Sequence, residues 1–323
     1  MVCVKRGSTS ALAILVASLI LSPSADAAAR PGEVALTFDD LPALTILPDQ
    51  RYVDYLNATI LRDLRRHHIP AIGFVNEGKI YDLEKDHQIA NLERWLDAGM
   101  ELGNHTYSHP SLNELGAGAY IEDIVRGERI TKGLLASHKE QMRYFRPPYL
   151  ETGKTLETKN KVLNWLGSHG YQLAPVTIDA DDWEFAEPYD DAIARRDKAA
   201  QRRIRAQYLS FTSSRIGWAQ ASARILFGRD IAQIMLLHCT RLNADALDDV
   251  LKILRRAHLK PVSLARALED PVYRQPDKYV GPDGIDWLER WADARHKDLP
   301  DAGNEDPPRD IQAAYDRVDN DRH

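Results

Sequence analysis

The chain has 323 residues, 44% of them hydrophobic and 28% charged, with a formal net charge of −6. That is enough apolar material to bury the core of one large domain or two small ones. The acidic balance argues against nucleic acid as a general partner, because phosphate repels a protein of net negative charge.

The chain opens with a leader-like segment. Lys5 and Arg6 precede an apolar run from Ala11 to Leu21, and Ala25-Asp26-Ala27 offers a small-x-small cleavage site. This three-part layout predicts a secretory signal peptide over residues 1–27. The run is short for a bilayer span, so no stable membrane insertion is expected. Cleavage removes Lys5, Arg6 and Asp26 and takes the formal charge from −6 to about −7. It leaves Cys239 as the single cysteine, so no internal disulfide forms. Export without disulfides fits a bacterial periplasm or cell envelope.

From Val34 onward, strand-like and helix-like segments alternate, the pattern of an α/β fold with parallel strands. Val34–Phe38 reads as a strand, and Gln50–His68 as a helix with Tyr52, Tyr55, Leu56, Ile60, Leu61 and Leu64 near helical spacing. Ala71–Val75 is the next strand, Ile89–Ala98 a helix and Met100–Gly103 a third strand. Helices at about 119–136 and 155–168 flank a strand near Arg143–Arg146. Tyr171–Ile178 and Gln233–Leu237 are two more strands, Ala244–His258 is a helix, and Pro261–Ser263 is a last short strand. The run of alternations predicts a barrel. Residues 184–230 interrupt it with a basic helical stretch from Arg195 to Arg205, read first as a solvated face and second as a wall beside a site. From about Leu299 the tail is charged and rich in Pro and Asp, and is expected to be largely disordered.

Five polar islands sit where strands end, the functional mouth of a β/α barrel. They are Thr37-Phe38-Asp39-Asp40, His105-Thr106-Tyr107-Ser108-His109, Arg146-Pro147-Pro148-Tyr149, Asp179-Ala180-Asp181-Asp182-Trp183 and Leu236-Leu237-His238. His105 and His109 stand four apart and can face one metal ion, with Asp39 or Asp40 completing a two-His, one-carboxylate set. Side chains alternate along an extended strand, so Asp39 and Asp40 are expected to divide the work, one on the metal and one toward the reacting water. Arg146 is suited to hold the second carboxylate charged, although a purely structural salt bridge would place it similarly. Asp182 beside His238 would raise that imidazole's pKa and orient it as an acid. Trp183 offers a flat face on which a sugar ring can stack, and simple burial would also account for it.

In their order, these islands resemble the five motifs of the polysaccharide deacetylase family, the NodB-homology or carbohydrate esterase family 4 enzymes. The likeness runs from about Val34 to Leu264. It implies a distorted (β/α)7 barrel over residues 28–270, with a helical insertion before the last motif and a partly disordered extension at 271–323. It further implies metal-dependent removal of acetyl groups from N-acetylated sugars or acetylated xylan. By resemblance Asp39 is the general base, and Asp40, His105 and His109 are the metal ligands. Arg146 tethers Asp39, the Tyr149 backbone N–H helps bind the oxyanion, and Asp182 pairs with the acid His238. The implied cofactor is a divalent ion, zinc first, with cobalt, nickel or manganese also suited to this donor set. The implied partner is a carbohydrate, and the oligomeric state is left open.

Three features depart from the family pattern. Cys239 follows His238 where the family usually has aspartate, the second strand reads Gly73-Phe74-Val75-Asn76-Glu77, and the 184–230 segment is long. The leading expectation is an exported de-N-acetylase on a glycan containing N-acetylglucosamine, of the chitooligosaccharide or peptidoglycan type. The alternatives are an O-acetyl polysaccharide esterase and a catalytically silent glycan-binding relative. A cytoplasmic amidohydrolase on a small cyclic amide is disfavoured by the leader.

Overall fold

Strand β1 (Gly32–Leu41) is the axis of the molecule, with Val34–Leu41 buried without interruption. Such a run suits a parallel strand covered on both faces. A computed structural model describes residues 32–319, so the predicted leader at 1–27 lies outside the described residues. In chain order there follow α1 (Gln50–Arg66), β2 (Ala71–Val75), α2 (Lys85–Asp97), β3 (Glu101–Asn104), α3 (Leu112–Leu115), α4 (Ala117–Arg126), α5 (Arg129–Ser137) and β4 (Tyr144–Phe145). The second half comprises α6 (Leu156–Ser168), β5 (Gln172–Leu173), β6 (Ile178–Asp179), α7 (Asp182–Ala194), α8 (Lys198–Phe227), β7 (Gln233–His238), α9 (Arg241–Arg256) and β8 (Leu259–Val262). Helices α10 (Leu264–Ala267), α11 (Trp287–Asp293) and α12 (Arg309–Val318) complete it.

Local chemistry accounts for the main helices. In α1, Asp49 caps the first turn by accepting from Tyr52 N–H, and Val53, Leu56, Ile60, Leu61 and Leu64 form one buried stripe. Thr240 caps α9 in the same way through Asn243 N–H. The predicted single helix at 119–136 is two helices. The break falls at Gly127, where a Cβ would lie 2.3 Å from the carbonyl carbon of Thr106. The chain gives up helix continuity there so that the loop carrying His105 and His109 can lie against it.

The strands pair in the order β5-β4-β3-β2-β1-β7-β6, all parallel. Along its other edge from β7, β1 pairs first with β8 through Gly32–Ala35, then with β2 from Leu36 onward. The predicted strand Tyr171–Ile178 is split. Gln172 and Leu173 pair with β4, whereas Ile178 and Asp179 pair with β7 at the opposite end of the sheet. Between them, Ala174 N–H still donates to Phe145 O (2.8 Å) and Thr177 N–H to Ile234 O (2.9 Å). Pro175, which has no N–H to give, sits in the crossing. One segment thus joins both ends of a curled sheet, and the result is the distorted barrel that the motifs predict.

The 184–230 stretch is almost wholly helical. On α8, Ile204, Tyr208, Thr212, Ile216, Ala219 and Ala223 form a buried stripe. Of the basic run, Arg202 and Arg203 are exposed, while Arg205 pairs with Asp249 and Arg195 with Asp191. This is the solvated face, not a wall of the cleft.

The segment after α10 packs on the barrel. Trp287, Leu288 and Trp291 are core residues, and Trp287 N–H donates to Val176 O at 2.8 Å. Beyond Leu299, α12 buries Ile311 and lays Tyr315 edge-on to Trp183 at 5.0 Å. A polar composition hid these few apolar anchors. Among the described residues no helix is long and apolar enough to cross a membrane.

Candidate active site

All five islands meet at the C-terminal ends of the strands, around a cleft of about 490 Å³ lined by Asp39, Asp40, His105, His109, Tyr149, Asp179, Trp183 and His238 among others. Strict alternation would send Asp39 and Asp40 to opposite faces. Instead, the β1–β2 register slips between Phe38 and Leu41, and Asp40 takes a left-handed φ of 62°. Both carboxylates therefore open on the cleft and differ in their partners.

Asp39 belongs to Arg146. The guanidinium, fully buried, donates through Nη1 to both Asp39 oxygens at 3.2 Å. It is held by Ala174 O at Nε (2.8 Å) and by Thr37 Oγ1 at Nη2 (3.1 Å). Burial raises the Asp39 pKa above the usual carboxylate value, against the lowering pull of Arg146 and His238.

Asp40 belongs to the histidines. Its Oδ1 lies 3.9 Å from His105 Nε2 and 3.8 Å from His109 Nε2. The three donor atoms fall within 4.8 Å of one another. Burial pushes the Asp40 pKa up, but Lys79 (Nζ 3.6 Å from Oδ2), His109 and His105 bring it well below the ordinary range. Burial depresses both imidazoles to about 4, so they are neutral donors at pH 7. His105 Nδ1 donates to Arg146 O at 2.7 Å, which fixes the tautomer and leaves Nε2 free to ligate. Asp40 Oδ1 is buried with no hydrogen-bond partner, an orphan that a cation would satisfy. The donor set and the spacing fit a divalent metal.

The loop between the two histidines is a tight turn, not a helix. Thr106 and His109 have φ of 67° and 56°. Asp123 of α4 accepts from Tyr107 N–H and Ser108 N–H, both at 2.9 Å, and Asn104 Oδ1 accepts from Thr106 N–H at 2.7 Å. Neither Asp123 nor Asn104 was singled out by sequence, since a helix-face acid looks like a solvated residue.

His238 ends β7 directly beside Asp39, its register partner across the β1–β7 pair. Its Nδ1 donates to Asp182 Oδ1 at 2.7 Å and its backbone N–H to Oδ2 at 2.8 Å. Asn243 Nδ2 also donates to Asp182 Oδ2 and to His238 O, and Tyr208 OH donates to Asn243 Oδ1 at 2.7 Å. The insertion helix α8 thus buttresses the fourth and fifth islands through Tyr208 and Asn243, two residues the sequence did not mark. Burial lowers the His238 pKa, but Asp182 with Asp40 and Asp39 raises it to about 9. Asp179, also in the cleft, is pushed up to about 7 by burial and by Asp181.

A family profile described as polysaccharide deacetylase matches residues 26–177. Over those residues, just under half of its length, the chain carries this family's pattern. The matched stretch of the family carries Asp39, Asp40, His105, His109, Arg146 and Tyr149; Asp182, Trp183 and His238 lie beyond it. A peptidoglycan-N-acetylglucosamine deacetylase from Bacillus cereus is 32% identical over 155 residues, covering 47% of this chain and 46% of the relative. A chitin deacetylase from Colletotrichum lindemuthianum is 28% identical over 159 residues, covering 49% and 56%. The chain thus spans about half the length of these relatives. In fold, it is similar to the crystal structure of a polysaccharide deacetylase from Bacillus cereus, with a TM-score of 0.50 at 19% identity, covering 72% of this chain and 91% of that one.

Trp183 and Tyr149 both line the cleft. Trp183 is half-buried against Tyr315 of α12, which lines the cleft with it. Tyr149 is exposed, with its ring edge-on to His109 at 4.6 Å. Cys239 does not line the cleft. It is fully buried, with Sγ toward Pro42 O (3.3 Å) and Asn57 Oδ1 (3.6 Å), so the departure at the fifth motif turns into the core. A second hollow of about 1090 Å³ lies beyond His109 and Tyr149, bordered by Lys79, Tyr81 and Tyr107. Asp40, His109 and Tyr149 border both, so the site lies where two hollows meet.

Proposed function

We propose that the chain is a metal-dependent hydrolase that removes acetyl groups from the amino sugars of a glycan containing N-acetylglucosamine, chitooligosaccharide or peptidoglycan in type. One observation carries the reading: a donor set of neutral His105 and His109 with ionised Asp40, an Arg146-tethered Asp39 and an Asp182-bound His238 open onto one cleft. A binding module has no use for the last two pairs.

Asp40, His105 and His109 hold the metal, which, when bound, polarises the acetyl carbonyl and makes a water acidic at neutral pH. Zinc suits the donor set best, with cobalt, nickel and manganese next. Asp39 takes the proton of the attacking water; its raised pKa makes it a better base than a free carboxylate, and Arg146 keeps it oriented. The Tyr149 N–H faces the developing oxyanion. His238, protonated and with Nδ1 engaged by Asp182, passes its Nε2 proton to the departing sugar nitrogen. Trp183 supplies an apolar face to the sugar ring. The leader predicted at residues 1–27 supports an exported enzyme, as a cell-wall or extracellular glycan requires.

The test is acetate release by the purified protein from chitooligosaccharides, peptidoglycan and acetylxylan. Release from one of the first two, abolished by chelation and restored by adding back a divalent ion, is the expected result. Release from acetylxylan alone would identify an O-acetyl esterase, and release that survives complete metal removal would reject the mechanism.

A further inference from the structure

The Pro147–Gly153 loop that carries Tyr149 is an improbable piece of backbone held in place from outside. Tyr149 and Leu150 both have φ of 55°, two successive non-glycine residues in the left-handed region. There the Cβ of each crowds the adjoining carbonyl, so such a pair does not persist unless its surroundings over-determine it.

Those surroundings come from a segment more than 120 residues downstream, outside the stretch that matches the family. Arg290 of α11 is 1% exposed. Its Nη2 donates to Leu150 O, and its Nη1 to Thr152 Oγ1 (2.8 Å) and Asp277 Oδ2 (2.9 Å). Its Nε donates to Ile285 O at 2.9 Å, and Trp287 covers the guanidinium face at 3.9 Å. Asp277 is shared with buried Lys159 of α6, whose Nζ donates to it at 2.6 Å and to Tyr279 O at 2.7 Å. The approach is close enough that a Cβ on Gly284 would fall 1.8 Å from Tyr149 O. On the other side of the loop, Glu151 accepts from Ser111 Oγ (2.8 Å) and Asn113 N–H (3.0 Å), and Asn113 Nδ2 closes the ring by donating to Pro282 O at 2.7 Å.

We propose that residues 277–290 form a clamp that sets the Tyr149 peptide, with Arg290 as its positioning residue and Gly284 as the surface that the Tyr149 carbonyl rests on. The proposal rests on the reading of the Tyr149 N–H as the oxyanion donor. Arg290 is the residue type this needs. A planar guanidinium presents several donors in fixed directions and grips Leu150 O, Thr152 Oγ1 and Asp277 at once. Lysine gathers its donors on a single nitrogen and does not span all three partners in these fixed directions. The clamp contributes nothing to metal binding, because none of its residues belongs to the Asp40–His105–His109 set.

The experiment compares the metal-loaded wild-type protein with Arg290→Met, Arg290→Lys and Gly284→Ala. Three quantities are read: hydrogen exchange of the peptide covering 147–153, metal content, and kcat and KM for acetate release from chitotetraose. In Arg290→Met the expected result is at least tenfold faster exchange at Leu150 and Glu151, full metal content, and a fall in kcat of about 10²-fold at unchanged KM, the size of losing one oxyanion donor. Arg290→Lys recovers part of the kcat. Gly284→Ala leaves Arg290 in place, pushes on the Tyr149–Leu150 backbone from the other partner of the clamp and gives the same kcat-only loss, so a folding failure of the first variant does not remove the test. Unchanged exchange, or a loss confined to KM, overturns the clamp. A wild-type protein that releases acetate from neither chitotetraose nor peptidoglycan overturns the functional reading instead, and the exchange comparison still decides the clamp by itself.

Discussion

Asp39 and Asp40 are adjacent in the chain and differ in the main partners that set their chemistry. Asp39 is gripped by a buried arginine and raised in pKa by burial, while Asp40 faces two neutral imidazoles and Lys79. The role assigned to Asp39 predicts that Asp39→Asn keeps the fold and full metal content but loses about 10²–10⁴-fold in acetate release. Full activity in that variant would remove Asp39 as the base. His238 makes a second prediction at this scale. Its pKa is raised to about 9, and the acid works only while protonated, so kcat falls as pH rises through that value. Asp182 is the main raising charge, so Asp182→Asn moves the alkaline limb of the profile to lower pH. A limb that stays put in the variant would mean that another group sets it. The motif residues were legible from sequence because their chemistry is unusual for loops. Lys79, Asp123, Tyr208 and Asn243 were not, because a lysine after a strand or a polar residue on a helix reads as ordinary surface until its neighbour is known.

At the scale of elements, the site depends on how closely helices approach loops. The break between α4 and α5 at Gly127 lets the turn carrying His105 and His109 lie against the backbone, and Asp123 one turn earlier ties that turn down. Gly127→Ala therefore pushes on the peptide between Thr106 and Tyr107. The expected outcome is weaker metal retention, seen as substoichiometric content after dialysis, together with a fall in Tm. Undiminished metal content would show that the turn adapts. The sequence predicted one helix across 119–136, since the apolar spacing continues through the break. Only the contact with Thr106 tells a helix-breaking glycine from a tolerated one. The strand predicted at Tyr171–Ile178 failed for a related reason. Local pattern marks an extended segment, whereas its partner strands, β4 at one end and β7 at the other, are set by how far the sheet curls.

For the whole molecule, the segment after α10 is part of the same body as the barrel and not an appendage. Trp291 is buried against Phe227 of α8 (5.3 Å) and Tyr273 (5.7 Å), and Trp287 bonds to the segment that joins the two ends of the sheet. Trp291→Ala is expected to destabilise the protein by about 3–5 kcal/mol, the usual cost of emptying a large aromatic site, in one cooperative denaturant transition. An unchanged main transition with a separate early one would instead mark the tail as an independent unit. By itself the sequence determined the alternation of strands and helices, the order of the five islands and the residue types of the reacting groups, because these follow from local periodicity and from chemistry rare enough to stand out. Only the tertiary structure decided which helix buttresses Asp182, that Cys239 turns into the core, and that a tail of polar composition packs Tyr315 beside Trp183 and Arg290 beneath Tyr149. Those facts rest on contacts between segments far apart in the chain, and their direction comes from backbone turns at Asp40, Tyr149 and Leu150 that residue type alone does not encode.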